Sequence, residues 1–179
     1  MRVTGGEHRS RILKMVPDKE TRETSDKIRE SVFNVLGDKV INSEVLDLFA
    51  GSGAYGIDAL SRKSKKCMFS DTKLSAVKTI HQNIDALSLK EKSIILKNDY
   101  LNIIKLNKNK NQKFDIIFLD PPYDKYNYEE LINLSNEILK DDGVIVLELL
   151  NNTIINEELI DLQIYKTKKY GSKKIHYLK

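Results

Sequence analysis

Residues 44–56 read EVLDLFAGSGAYG. The apolar run Val45 to Phe49, interrupted only by Asp47, passes at once into small residues from Ala50 to Gly53, which is how a buried parallel strand hands over to a helix. Gly51 and Gly53 allow torsions and close approaches that a Cβ would block. A strand, a glycine turn and a helix N-terminus together make a site for the polar end of a nucleotide-like cofactor. Further along, Phe114 to Leu119 is a second apolar strand, and it ends in Asp120-Pro121-Pro122-Tyr123. Two such strand ends on one edge of a parallel sheet face the same crevice.

The bulk properties bound what this pair means. With 179 residues, 40% of them hydrophobic, the chain suffices for one domain with a real core. Net charge is +4, and from Leu162 onward Lys166, Lys168, Lys169, Lys173, Lys174 and Lys179 meet no Asp or Glu. Such a surface suits a polyanion and is also compatible with an ordinary enzyme. A single cysteine, Cys67, excludes an internal disulfide, and no apolar run approaches membrane-spanning length, so a cytoplasmic protein is expected. His8, His81 and His176 lack metal-ligand spacing, and no metal is expected. Phosphate-binding Gly-Lys-Ser/Thr runs and Gly-x-Ser-x-Gly elbows are absent.

In chain order, residues 1–17 carry Arg2, Arg9, Arg11 and Lys14 around Gly5-Gly6, which fits a hairpin or extended arm. A helix follows to Gly37, with Thr24 as N-cap, Asp26 in the first turn, and Ile28, Val32, Val35 and Leu36 at helical spacing. Arg22, Lys27 and Arg29 lie near its start, where a solvated charged face is the ordinary reading. After the glycine turn come a helix over 54–61 and a strand over 66–70 ending at Asp71. A carboxylate about twenty residues past the turn is placed to hold two ribose hydroxyls, although Asp is also common at loop starts. Leu74 to Leu87 reads as an amphipathic helix, 93–96 as a strand closed by Asn98-Asp99, 101–106 as half a helix, and 107–113 as an exposed loop. A helix over 128–139 leads to a strand over 144–147 with Glu148 at its end, and 162–169 with 173–178 read as a terminal hairpin. The expected fold is α/β: a doubly wound, mostly parallel sheet with right-handed crossovers and a closing antiparallel hairpin, divided into an N-terminal extension, 1–37, and a catalytic domain, 38–179.

Asp47 to Gly53 resembles the first motif of class I S-adenosylmethionine-dependent methyltransferases, and Asp120-Pro121-Pro122-Tyr123 the [D/N]-P-P-[Y/F/W] motif of those that methylate an exocyclic or amide nitrogen. With Arg2 to Gly6, Arg9 to Arg11, Thr21 to Leu36, Tyr170-Gly171 and Ile175 to Tyr177, the resemblance is to the RsmD family, which methylates N2 of a guanine in bacterial small-subunit (16S) ribosomal RNA. Glu23, Tyr55 and Asp71 depart from the proline, leucine and glutamate usual there. The resemblance implies S-adenosylmethionine bound by Asp47, Phe49, Ala50, Gly51, Ser52, Gly53, Asp71, Thr72, Asp99 and Tyr100, with Asp99 receiving the adenine amine. It implies catalysis at Asp120, Pro121, Pro122 and Tyr123, and a Rossmann-like monomer acting on 16S rRNA within a small-subunit particle.

The chemistry asks for these residue types. An aromatic exocyclic amine is a poor nucleophile because its lone pair is delocalised. The Asp120 carboxylate and Pro121 carbonyl each accept one amine hydrogen and aim the lone pair at the methyl group, while Pro122 stiffens the turn and Tyr123 offers a stacking face. The base must be unpaired or flipped to enter. Arg9, Arg11, Arg22 and Arg29 are the expected phosphate contacts. Two other functions remain open: methylation of DNA adenine N6 or protein glutamine, for whose usual recognition domain the chain has no room, and a non-catalytic rRNA-binding assembly factor, which has no need of the acidic strand ends.

Overall fold

The computed structural model describes residues 1–17, 24–123 and 125–179. Among these residues seven strands form one sheet in the order β3-β2-β1-β4-β5-β7-β6. The five parallel strands are β1 (Glu44–Asp47), β2 (Lys66–Asp71), β3 (Ser93–Lys97), β4 (Phe114–Leu119) and β5 (Leu139–Leu150). The antiparallel pair β6 (Ile164–Tyr170) and β7 (Lys173–Leu178) completes the edge, β7 lying beside β5. This is the fold expected from the sequence, with β1 and β4 adjacent at the point where strand order reverses.

The central strands are apolar on both faces, and alternation divides their side chains between two cores. Val45, Phe69, Ile116, Phe118, Val144 and Val146 face one core with α1 (Asp26–Leu36), α2 (Ala54–Ser61) and α3 (Leu74–Ala86). Leu46, Leu48, Ile117, Leu119, Ile145 and Leu147 face the other with α4 (Tyr100–Asn109) and α5 (Tyr128–Asn136). The extension shares the first core. Val3 and Leu13 are buried in it, alongside Ile28, Val32, Phe33 and Leu36 of α1. Residues 1–13 form a hairpin-like loop closed by an Arg2–Ile12 bridge, and they dock on the end of α2 through Glu7 N to Ser61 O and Thr4 N to Asp58 Oδ1, at 2.9 and 2.7 Å.

Four local expectations are corrected. The N-cap of α1 is Ser25, whose hydroxyl accepts from Ile28 N, and Thr24 turns its side chain elsewhere. α4 continues to Asn109 instead of stopping at 106, because the Asn107 amide is buried and donates to Ile103 O and to the Met68 sulfur. α5 ends at Asn136, and Leu139 opens β5 by pairing with Phe114. β5 therefore runs well beyond 144–147 at both ends.

Candidate active site

The carboxyl ends of β1, β2, β3 and β4 open on one cavity of about 560 Å3. Asp47, Phe49, Ala50, Gly51, Asp71, Thr72, Asp99, Tyr100, Asp120, Pro121, Pro122 and Tyr123 all line it, as do Thr24, Tyr55, Lys125 and Tyr126. Gly51 and Gly53 adopt φ of 54° and 82°, the left-handed region that the turn requires. Gly51 N donates to Asp71 Oδ2 and Lys73 N to Asp71 Oδ1, both at 2.9 Å, so Asp71 ties the glycine turn to the start of α3. Asp47 is buried and accepts from Gly56 N at 3.0 Å, which fixes α2 against β1. Asp99 is the N-cap of α4, its two oxygens accepting from Asn102 N and Asn102 Nδ2. Of the ten expected cofactor residues only Ser52 and Gly53 do not line the cavity; Ser52 is fully buried and Gly53 packs beside Ile80 and Phe69, so both shape the turn from behind.

One wall is aromatic. Phe49, Tyr100 and Tyr126 meet with ring centroids 5.3 to 6.0 Å apart. Sequence reasoning missed Tyr126, and its only signal was an aromatic three residues past Tyr123.

Asp120 and Pro121 lie beyond Leu119, the last paired residue of β4. Asp120 is half-buried at the cavity, and its Oδ2 is 2.8 Å from the Thr24 hydroxyl. The same hydroxyl is 2.8 Å from Glu148 Oε2. Glu148, on β5 and 1% exposed, accepts from the Tyr123 hydroxyl at 3.0 Å and pairs with the Lys173 ammonium. Burial pushes the Asp120 carboxyl well above the usual carboxylate range, and the neighbouring Glu148 adds to the rise. Burial alone would lower the Lys173 ammonium, but Glu148 and Asp120 hold it above its ordinary value. Tyr55 stacks on Phe118 at 4.7 Å, and its buried hydroxyl has no partner among the described residues; burial and the two carboxylates keep that phenol protonated. Thr24, Glu148 and Lys173 were not read as site residues. Glu148 did carry a signal, since it is an acidic residue directly after the apolar run 144–147, although β5 continues past it to Leu150.

The expected phosphate contacts separate. Arg9 and Arg11 are exposed. Arg22 lies outside the described residues. Arg29 is not a surface contact: it is fully buried, with Nε 2.9 Å from Asp58 Oδ2 and its other nitrogens donating to Asp26 Oδ1, Thr24 O and Arg2 O. A guanidinium is taken out of water only when its donors are met, and Asp58 and the N-terminal backbone meet them. Two of the C-terminal lysines also turn inward, Lys173 to Glu148 and Lys174 to Thr153 O.

A family model described as "Conserved hypothetical protein 95" matches residues 1–179. The chain belongs to this family. It is the RsmD family suggested by the motifs: ribosomal RNA small subunit methyltransferase D of Haemophilus influenzae is 33% identical over 151 residues, covering 83% of this chain and 78% of that protein. A Bacillus subtilis protein described as a candidate rRNA methyltransferase, YlbH, is 37% identical over 173 residues, 96% of this chain and 94% of its own. The solved structure of HI0767, a candidate methylase from H. influenzae, has 29% identity and a TM-score of 0.80, covering 99% of this chain and 96% of that one. Like this family member, the solved neighbours have the class I methyltransferase fold.

Proposed function

We propose that the chain transfers a methyl group from S-adenosylmethionine to the exocyclic N2 of a guanine in small-subunit ribosomal RNA. The observation that carries this reading is the meeting of Asp120-Pro121-Pro122-Tyr123 with the glycine turn and Asp71 in one cavity. Relatives named as small-subunit rRNA methyltransferases support an RNA substrate.

The cavity suits the cofactor on its own terms. Asp71 keeps acceptor capacity beside the Gly51 turn for a vicinal diol, since each of its oxygens takes only one backbone hydrogen bond. The Phe49, Tyr100 and Tyr126 wall offers faces to a flat base. When bound, S-adenosylmethionine supplies an electrophilic methyl group on a sulfonium. The chain then has to orient an amine. Asp120 and the Pro121 carbonyl, past the end of the β4 ladder, are placed to accept its two hydrogens, and Tyr123, held by Glu148, stiffens the wall against which the base lies. The test is incubation with labelled S-adenosylmethionine and unmethylated small-subunit RNA, naked and in protein-bound particles, followed by identification of the modified base. A methyl group on any atom other than guanine N2 rejects the reading.

Two predictions arise here. Asp71→Ala removes a charged acceptor and also releases Gly51 N and Lys73 N, so cofactor affinity is expected to fall by about 1.5–3 kcal/mol, roughly 10- to 150-fold. Calorimetric titration giving wild-type affinity would take Asp71 out of the cofactor site. For RNA, the exposed Arg9 and Arg11 are assigned to phosphates. The Arg9→Glu, Arg11→Glu double variant should bind RNA more weakly, with a log–log salt slope flattened by somewhat under about one unit per lost contact. Cofactor binding should not change. Filter binding across a salt series that returns the original slope would place the RNA elsewhere.

A further inference from the structure

The Thr24 hydroxyl carries one proton, yet it sits 2.8 Å from Asp120 Oδ2 and 2.8 Å from Glu148 Oε2. A hydroxyl donates once, so it satisfies one carboxylate as donor and meets the other only by accepting a proton from it. Two anions would have to share that single proton across two short contacts, which disfavours both being charged in this arrangement. Which one holds the proton follows from the remaining partners. Glu148 also accepts from the Tyr123 hydroxyl and pairs with the Lys173 ammonium, so it has three donors around it. Among the described residues Asp120 has Thr24 alone as a hydrogen-bond partner, and its Oδ1 takes no hydrogen bond.

We propose that Asp120 works as a neutral carboxylic acid: its proton is donated to Thr24, Thr24 donates to Glu148, and the negative charge of the pair stays on Glu148. The assignment rests on the reading of the Asp120 turn as the amine site. Thr24 and Glu148 are then positioning residues, because they fix the rotation and protonation of the group that meets the substrate. The open Oδ1 becomes a carbonyl oxygen at a set orientation, ready for one amine hydrogen.

The other groups facing the pair agree with this. Asp47 on β1 adds negative potential that disfavours a second anion at Asp120. From α2, Tyr55 presents a neutral phenol. Arg29 of α1 is committed to Asp58 and Asp26. Lys173 on β7 favours an anion at both sites but makes its ion pair with Glu148. Burial raises Asp120 in the same direction. In the reaction, the nitrogen–carbon bond forms as the carbon–sulfur bond breaks, and the positive charge passes from sulfur to the base. The surplus proton leaves the methylated base to water, since a protonated Asp120 has no capacity for it.

Asp120→Asn is the direct test, because its amide places an N–H where the acid has its O–H and so still donates to Thr24. The variant is expected to keep turnover within about ten-fold of the wild type, whereas Asp120→Ala loses about 100-fold. Wild-type turnover should fall on the alkaline side as Asp120 gives up its proton. That limb should be missing from Asp120→Asn, and the ratio of the two profiles cancels the ionisation of the guanine itself. Infrared difference spectra of the free protein should show a protonated-carboxyl band that Asp120→Asn removes and Thr24→Val shifts, with Thr24→Ser restoring the wild-type band. Thr24→Val keeps the carbonyl that receives Arg29, and cofactor titration checks that each variant is folded. Asp120→Asn as inactive as Asp120→Ala while still binding cofactor, or no carboxyl band lost, overturns the neutral acid and leaves the site standing. Wild-type turnover in Asp120→Ala overturns the site itself.

Discussion

Asp120→Ala is expected to lower the rate of methyl transfer by about 100-fold or more while cofactor affinity stays within a few-fold of the wild type. Asp120 follows the end of β4, whereas the backbone of the glycine turn is held by Asp71 and that of α2 by Asp47. The substitution therefore removes an acceptor from the target amine without disturbing the cofactor's frame. It also deletes the acid that shares Thr24 with Glu148, and Glu148 keeps Tyr123 and Lys173, so no unpaired charge is stranded in the core. The loss should accordingly appear in kcat at saturating cofactor and RNA, with little change in stability. Single-turnover rates beside calorimetric titration separate the two quantities. Turnover near the wild-type level would show that the amine is oriented by other groups.

What the sequence made legible follows from how local its causes are. Strands buried on both faces read as continuous apolar runs, so Val45 to Phe49 and Phe114 to Leu119 could be placed without knowing their neighbours. The glycine turn and strand-end Asp71 were legible because backbone torsion and strand-end position constrain residue type directly. Thr24 was not. Next to Ser25, either residue fits an N-cap, and what selects Ser25 is that Thr24 is engaged by two carboxylates 96 and 124 positions away. Arg29 failed for the same reason: Asp26 is visible one turn back, but Asp58 on α2 is brought to it only by the packing of α1 against the first core. Asn107 looks like loop polarity until its amide is seen closing on Ile103 O inside the second core. Polar residues whose partners are remote carry no local signature, and two of them, Thr24 and Arg29, line the cavity.

Arg29→Ala should destabilise the fold by about 3–5 kcal/mol, a large share of the roughly 5–15 kcal/mol typical of a domain. Both side chains of the Arg29–Asp58 pair are fully buried, so the variant takes from the Asp58 carboxyl its nearer, fully buried counter-charge. Arg62, 3.5 Å from the other oxygen and partly exposed, is then the remaining cation beside Asp58, and the carbonyls of Thr24 and Arg2, which Arg29 ties to α1 at 2.6 and 2.5 Å, are freed as well. At about 2 kcal/mol per molar urea, the midpoint should drop by about 1.5–2.5 M. The deficit should depend on pH with a definite sign. Burial already raises the Asp58 carboxyl above its ordinary value despite Arg29 beside it, and losing Arg29 raises it further. A group whose pKa is higher in the folded than in the unfolded state binds more protons when folded, so its contribution falls as pH rises through that interval. The variant should therefore lie closer to the wild type at about pH 5 than at about pH 8, because protonation removes the unpaired charge. Urea titrations at the two pH values measure it; a deficit below about 1 kcal/mol, or one that grows on acidification, would mean that Asp58 finds another cation, for which Arg62, 3.5 Å from its other oxygen, is the neighbour in place.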